Sequence, residues 1–540
     1  MTPVTRHTVA PLSRTIVDRV IGYFSPRAGL DRLRDRVALD ASIGPGGYKG
    51  GRRDRRPTKR WRPFEASADA DILPDLPDLR ARARDLARNA PIATGAINTN
   101  VTNVIGEGLI LQSSLNADVL GITEDQASAY QREQEREFEH FCRTCDFTRV
   151  QTFEKLQALV YRAAKESGDV IIVRRFRKDA GDVYGTKLQV IEADRLSNPS
   201  RAADSDTIAG GVEIDGHGVP VAYYISDRHP GALRPKALSW ARVKARTDAG
   251  VPVVLHLFDR LRPEQTRGIP YLAPVVEHLK QLSDYTDAEV TAAVISAMFT
   301  LAIETPNDTD ENPPIGEKDS SLNDNEVKLG NGAVISLAPG EKPHAISPAR
   351  PNAQFDPFVL AFVRQMGAAL EIGEELLIKK FTASYSASRA ALEMAWQYFR
   401  TQRSWFAADF AQIAYEWMMD EAVASGRLSR PGFFEDPFVR QAWLGAEWIG
   451  AAKFSLDPKK EADADMLDLE MCVTTREEIM RRRTGGEFDK KIAQLGKEKQ
   501  AIDDAGVAPA PKAAASAPPS RGEDEQSGDD DDTEDERVSA

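Results

Sequence analysis

The chain has 540 residues, 41% hydrophobic and 28% charged, which fits a globular protein with several packed layers and more than one domain. Its net charge of −13 is uneven: residues 1–62 carry 15 Lys/Arg against 5 Asp, and residues 521–540 carry 10 Asp/Glu against 2 Arg. The body between them is near −15 (−13 − 10 + 8), which argues against a duplex-gripping basic stripe and suits a surface past which phosphate slides.

Residues 1–62 read as a basic flexible arm with a short helical stretch at Leu12–Val20 and a glycine-rich break at Gly44–Gly51. The arm is expected either to touch nucleic acid or an acidic partner, or to be simply solvated. The segment after Met1 has no continuous apolar core, so no secretory signal is expected. Gly44–Arg52 lacks the Gly-Lys-Ser/Thr ending of a phosphate loop, and no such loop occurs elsewhere, which argues against an ATP-driven motor.

Residues 63–269 read as α+β. A helix capped by Asp78 ends before Pro91, an apolar face continues through Ile92, Ala96, Val101 and Ile105, and Gly106-Glu-Gly108 turns into a strand. Helices are expected over Gln126–Phe141 and Phe153–Ser167. Strands follow over 169–176, 187–192, 212–214 and 220–225, the last two joined by the Asp215–Gly218 turn. Three cysteines, Cys142, Cys145 and Cys472, are too few for a disulfide framework. Cys142 and Cys145 have CxxC spacing, but no second ligand pair follows for zinc, and the pair closes a helix where a redox site opens one. Glu192 and Asp194 sit at alternating strand positions, as paired carboxylates would, yet no His nearby in sequence completes a metal site.

An apolar strand, Val253–Phe258, enters the turn Leu261-Arg-Pro-Glu-Gln-Thr-Arg-Gly-Ile-Pro270 and a helix starts near Leu272, running to about 303. Its apolar part, Ala288–Ile303, is broken by Glu289, Thr291, Ser296 and Thr300 and falls short of the ~20 residues that span a bilayer. Residues 304–350 are polar and proline-rich, with a small hairpin expected from the runs at 326–329 and 333–337. A returning helix begins with Asp356 as N-cap and Pro357 at its first position. A polar small-residue loop then leads to a long aromatic helix over 392–424, capped by Gly426. Residues 461–500 read as charged helix, and 501–540 as a disordered acidic tail.

Five segments, in order, resemble the lambda family of portal proteins of tailed bacteriophages. They are Arg84-Asp-Leu through Val104-Ile-Gly-Glu-Gly-Leu-Ile-Leu-Gln112; Ile191-Glu-Ala-Asp-Arg-Leu196; Leu261–Pro270; Lys379-Lys-Phe-Thr-Ala-Ser-Tyr-Ser386; and Trp443-Leu-Gly-Ala-Glu-Trp448 with Leu456-Asp-Pro-Lys-Lys-Glu461. The resemblance covers about residues 75–500.

It implies a mainly helical α+β portal fold that assembles into a ring. The regions implied are a wing (63–269), a stem helix (270–303), a clip (304–350), a second stem helix (351–377), a tunnel loop (378–390), a wing return with the aromatic helix (391–460) and a crown-like region (461–500). Twelve copies would surround double-stranded DNA at one capsid vertex, dock the terminase large subunit, and meet major capsid, scaffold and head–tail adaptor (neck) proteins. The ring would assemble in the bacterial host cytoplasm and end in the virion. The residues the resemblance singles out are Lys379, Lys380, Thr382, Ser384, Tyr385, Ser386 and Arg389 in the tunnel loop. In the turn before the stem they are Arg262, Pro263, Gln265, Arg267, Gly268 and Pro270. No catalysis, cofactor, metal or membrane is implied. The rival readings are a non-channel phage head adaptor or scaffold-binding structural protein and a packaging enzyme.

Overall fold

The computed structural model describes scattered positions between 21 and 35, residue 51, and residues 55–63, 65–233, 236–297, 301–304, 342–345, 354–381, 384–453, 457–484, 486 and 488–506. The expected helix at Leu12–Val20, the hairpin over 326–337, Thr382 and residues 507–540 lie outside the described residues.

The chain divides into two units, residues 1–75 with 261–265, and residues 76–260 with 266–540. In the first, Ser67 caps a short helix, Ala68–Ile72, by accepting from the Ala70 amide at 3.2 Å. Arg262 donates to Asp71 at 2.5 Å and to the Ala66 carbonyl at 2.9 Å.

The second unit is built on helices and small sheets. Helix α1 (Leu76–Asn89) breaks at Ala90, and α2 (Pro91–Val104) restarts with proline at its first position, where the missing amide costs no hydrogen bond. Strand β1 (Ile110–Ser113) precedes α3 (Glu124–Thr144), opened by a capping box between Thr123 and Gln126, and α4 (Phe153–Ser167). Strands β2 (Asp169–Phe176) and β3 (Thr186–Glu192) are followed by β4 (Ile208–Ala209), β5 (Val212–Ile214), β6 (Pro220–Ser226), β7 (Trp240–Lys244) and β8 (Val254–Phe258).

These strands form two antiparallel sheets, ordered β3-β2-β8 and β4-β5-β6-β7. Central β2 is buried on both faces, which is why it reads as an unbroken apolar run. Val170 and Ile172 join the large helical core, while Ile171 and Val173 face Val212, Tyr223 and Ile225 of the second sheet.

Helix α5 (Val276–Ala297) leaves this body, and α6 (Phe355–Ala369) returns beside it. Between them lies an antiparallel pair, β9 (Leu301–Glu304) with β10 (Lys342–Ala345). Residues 301–303 were expected to end the helix and are strand instead. Ile303 is β-branched, Thr305 precedes Pro306, and pairing with β10 supplies the backbone partners a frayed helix end would lack.

The second expected helix, 351–377, is also two pieces: α6 stops at Ala369 and α7 (Glu374–Ile378) follows a turn at Glu371, whose φ is +54°. Gln354 precedes α6 without a side-chain cap, so Asp356 lies in its first turn and is not the cap. Helix α8 (Tyr385–Phe406) begins five residues before the expected end of the 378–390 loop, because Ser384 caps it by accepting from the Ala387 amide at 3.4 Å.

The aromatic helix continues through a π segment, Ala407–Ala411, into α9 (Gln412–Ala424). Phe406 and Phe410, four residues apart, both face the core with ring centroids 5.2 Å apart, and they meet Tyr161 and Phe153 respectively, each at 5.6 Å. Strand β11 (Ala446–Ile449) returns to pair with β1. Three helices, α10 (Pro458–Glu470), α11 (Arg476–Thr484) and α12 (Phe488–Asp504), close the described chain, so 501–504 are helical where a tail was expected.

Candidate functional site

Strand β8 delivers the chain to the turn that launches α5. Within the first unit, Gln265 folds back, its Oε1 accepting from the amides of Leu261 at 2.9 Å and Arg262 at 3.2 Å. Pro263 and Arg262 are exposed, and Glu264 has φ +63°.

The second half of the turn, in the second unit, is anchored by Arg267. Its guanidinium donates to Asp169 at 2.6 and 3.2 Å, and to the carbonyls of Leu196 (2.8 Å), Gly210 (2.6 Å) and Ala193 (2.8 Å). One buried side chain thus ties the turn to β2, to the bend after β3 and to the loop before β5. Asp169 also accepts from Arg80 on α1 at 2.7 Å, from His256 at 3.1 Å and from the Gly268 amide at 3.3 Å.

Asp169 is fully buried, and burial by itself would raise its pKa. The guanidiniums of Arg267 and Arg80, with the His256 hydrogen bond, outweigh that and hold it well below the ordinary carboxylate range. Burial pushes His256 down, against the upward pull of Asp169, whose carboxylate accepts the hydrogen bond from Nε2. Burial also brings Arg80 down to about 10.

Glycine at 268 is a packing requirement. A Cβ there would stand 2.0 Å from the Gly168 carbonyl oxygen, and one on Gly168, whose φ is +90°, would stand 2.5 Å from the Gly268 oxygen. The two backbones touch where α4 meets β2. Buried Pro270 then leads to Tyr271, whose amide donates to the Lys165 carbonyl at 2.9 Å and whose hydroxyl donates to the Leu370 carbonyl at 2.5 Å.

Lys165 itself is buried. Its ammonium donates to Gln402 at 2.7 Å and lies 5.3–6.0 Å from the ring centroids of Tyr161, Tyr271, Tyr398 and Trp405. Burial lowers its pKa, opposed by Asp259 at 3.6 Å.

Helices α5 and α6 run antiparallel and are zipped by rings: His278 with Phe362 at 6.1 Å, Tyr285 with Phe358 at 4.9 Å and with Phe355 at 5.7 Å. Beyond α6, Lys379 caps α7 in the left-handed region with φ +54°, and Lys380 follows it, both exposed. Ser384, Ser386 and Arg389 are exposed on the N-terminal turns of α8, where Tyr385 is its first residue. Lys379, Lys380 and Arg389 therefore lie on both sides of one short connection, whereas Arg267 and Gly268 belong to a buried structural lock. Sequence reasoning passed over Asp169, Arg80 and His256. The one local signal was a carboxylate opening an apolar strand directly after Gly168. It also passed over Ser388, buried and donating to Glu375 at 3.1 Å.

Glu192 ends β3 while Asp194 lies in a 3-10 turn, Ala193–Arg195, so the two are not strand neighbours on one face. His229, 35 residues beyond Asp194 in sequence, does approach them, its Nε2 standing 3.7 Å from Glu192 and 3.8 Å from Asp194. Arg84 already bridges both carboxylates, so a cationic side chain fills the position a metal would take. Cys142 and Cys145 are buried free thiols, and burial raises both pKa values.

A family model described as phage portal protein, lambda family, matches residues 54–403. Portal protein B of Escherichia phage lambda is 26% identical over 483 residues, covering 85% of this chain and 90% of the relative. The portal protein of Escherichia phage N15 is 26% identical over 498 residues, covering 88% and 92%. Among solved structures, a chain from the neck of an empty gene transfer agent particle has a TM-score of 0.45 at 13% identity, covering 74% of this chain and 92% of that one, a likeness too distant to carry argument.

Proposed function

The chain belongs to the lambda family of phage portal proteins, and from that premise we propose that it is one wedge of a ring, twelve copies strong, through which double-stranded DNA enters and leaves a capsid. Helices α5 and α6 would form the channel wall as the stem. The β9–β10 pair would begin the clip that meets terminase and neck proteins. The connection from Lys379 to Ser384, continued by the first turns of α8, would form the constriction. The observation that carries this reading is the rigid launch of α5: Arg267, Asp169 and the Gly168–Gly268 contact fix the turn, and the aromatic zipper returns α6 alongside.

The role is mechanical. Exposed Lys379, Lys380 and Arg389 offer transient phosphate contacts, and the exposed serines offer small polar surfaces. The near −15 charge of the body opposes lasting adhesion. Native mass spectrometry with negative-stain imaging of the purified protein tests the reading. A twelvefold ring with a hole wide enough for duplex DNA is expected. A stable monomer or dimer at every salt concentration, persisting when scaffold and capsid protein are added, would favour the adaptor reading.

A further inference from the structure

Helices α2, α7 and α8 border a cavity of about 350 Å³, within the range of small-molecule sites. Its carbon walls come from Leu376, Phe381, Leu392, Trp396 and Phe399. Two ammonium-bearing residues, Lys379 and Lys453, stand on its lining, and they differ. Lys453 is paired with Glu393, whereas Lys379 is exposed and has no carboxylate partner among the described residues. The left-handed backbone of Lys379, costly for a residue with a Cβ, turns the chain so that Lys379 and Phe381 both line the cavity. Arg403 lies 5.2 Å from the Trp396 ring, adding a further positive charge behind that wall.

We propose that this cavity binds a small planar aromatic anion. The ring system would lie against Trp396 and Phe399, and the anionic group would meet the Lys379 ammonium. Charge complementarity selects the class. Lys379 and Lys453 against one glutamate, with Arg403 behind the Trp396 wall, leave the lining net positive, which a neutral aromatic would not answer. An aliphatic anion would forgo the aromatic walls. The site does not depend on the channel reading.

Saturation-transfer difference NMR on the full chain with 2-naphthalenesulfonate, compared with neutral 2-naphthol, tests it. The sulfonate is expected to receive saturation and to bind more tightly than the naphthol. Ala395→Trp places an indole on the buried lining and should abolish the signal. Leu392→Trp, at a half-buried position, does the same should the first variant fail to fold. Lys379→Gln should weaken sulfonate binding about tenfold while leaving the naphthol unchanged. Undiminished signal in a folded Trp variant, equal affinity for the two probes, or indifference to Lys379→Gln would each overturn the proposal. So would binding to the monomer that vanishes in the assembled ring, because the occupant would then be a second copy of the chain.

Discussion

Replacing Asp169 with Asn removes a fully buried charge and leaves Arg80 and Arg267 facing each other across a neutral amide. Breaking one partner of such a cluster costs about 3–5 kcal/mol, so Asp169→Asn should be strongly destabilised in denaturant unfolding. The pH dependence carries a separate signature. The folded pKa of Asp169 lies below its unfolded value, so its contribution is complete above about pH 4 and is lost as pH falls through the lowered folded value. The wild type should therefore lose stability more steeply than Asp169→Asn below about pH 4, and parallel curves would remove the electrostatic account. Gly268→Ala is a test of backbone packing without charge. With its Cβ 2.0 Å from a carbonyl oxygen, the turn must open, and a loss comparable to a core overpacking change, about 1–3 kcal/mol or more, is expected.

At the scale of elements, the π segment Ala407–Ala411 supports a contrast between two deletions. Deleting exposed Ala408 should convert the bulge to regular α-helix while both flanks keep their facing, so the melting temperature should change little. Deleting Gln397 inside α8 should turn every upstream residue by about 100° and misplace the Trp396 and Leu392 face, which unfolds the region. Equal damage from both would mean that the bulge has a role beyond phasing. The connection between α7 and α8 is tested by charge. Replacing Lys379 and Lys380 with Glu touches exposed side chains, so folding and ring assembly should survive. DNA packaging or retention should fall, and normal full heads from this variant would remove the constriction role.

For the whole molecule, the opposed charges of arm and body make a statement about DNA. The body repels phosphate, so sequence-independent affinity at low salt should reside in residues 1–62. Changing Arg52, Arg53, Arg55 and Arg56 to Gln should lower duplex affinity in fluorescence anisotropy and flatten its dependence on salt. Unchanged binding would place the contacts elsewhere.

The family was legible from five ordered segments, and so were most elements. Val170–Val173 announced a strand, Pro91 a break between helices, and the Asp215–Gly218 turn a hairpin, because each depends on side chains within a few residues. Tertiary structure decided what such short windows do not contain. Leu301–Glu304 became strand because its partner lies 38 residues beyond it in sequence, at 342–345. Tyr385–Arg389 joined a helix once Ser384 capped it. The importance of Arg267 and Gly268 was visible as a motif, but its cause was not. Asp169, Arg80, His256 and Gly168 come from other parts of the chain, and only folding brings their charges and backbones within hydrogen-bond reach. Sequence patterns record local conformational preference. A buried charge network or a close backbone contact is a property of distances between remote segments, and those exist only once the chain has folded.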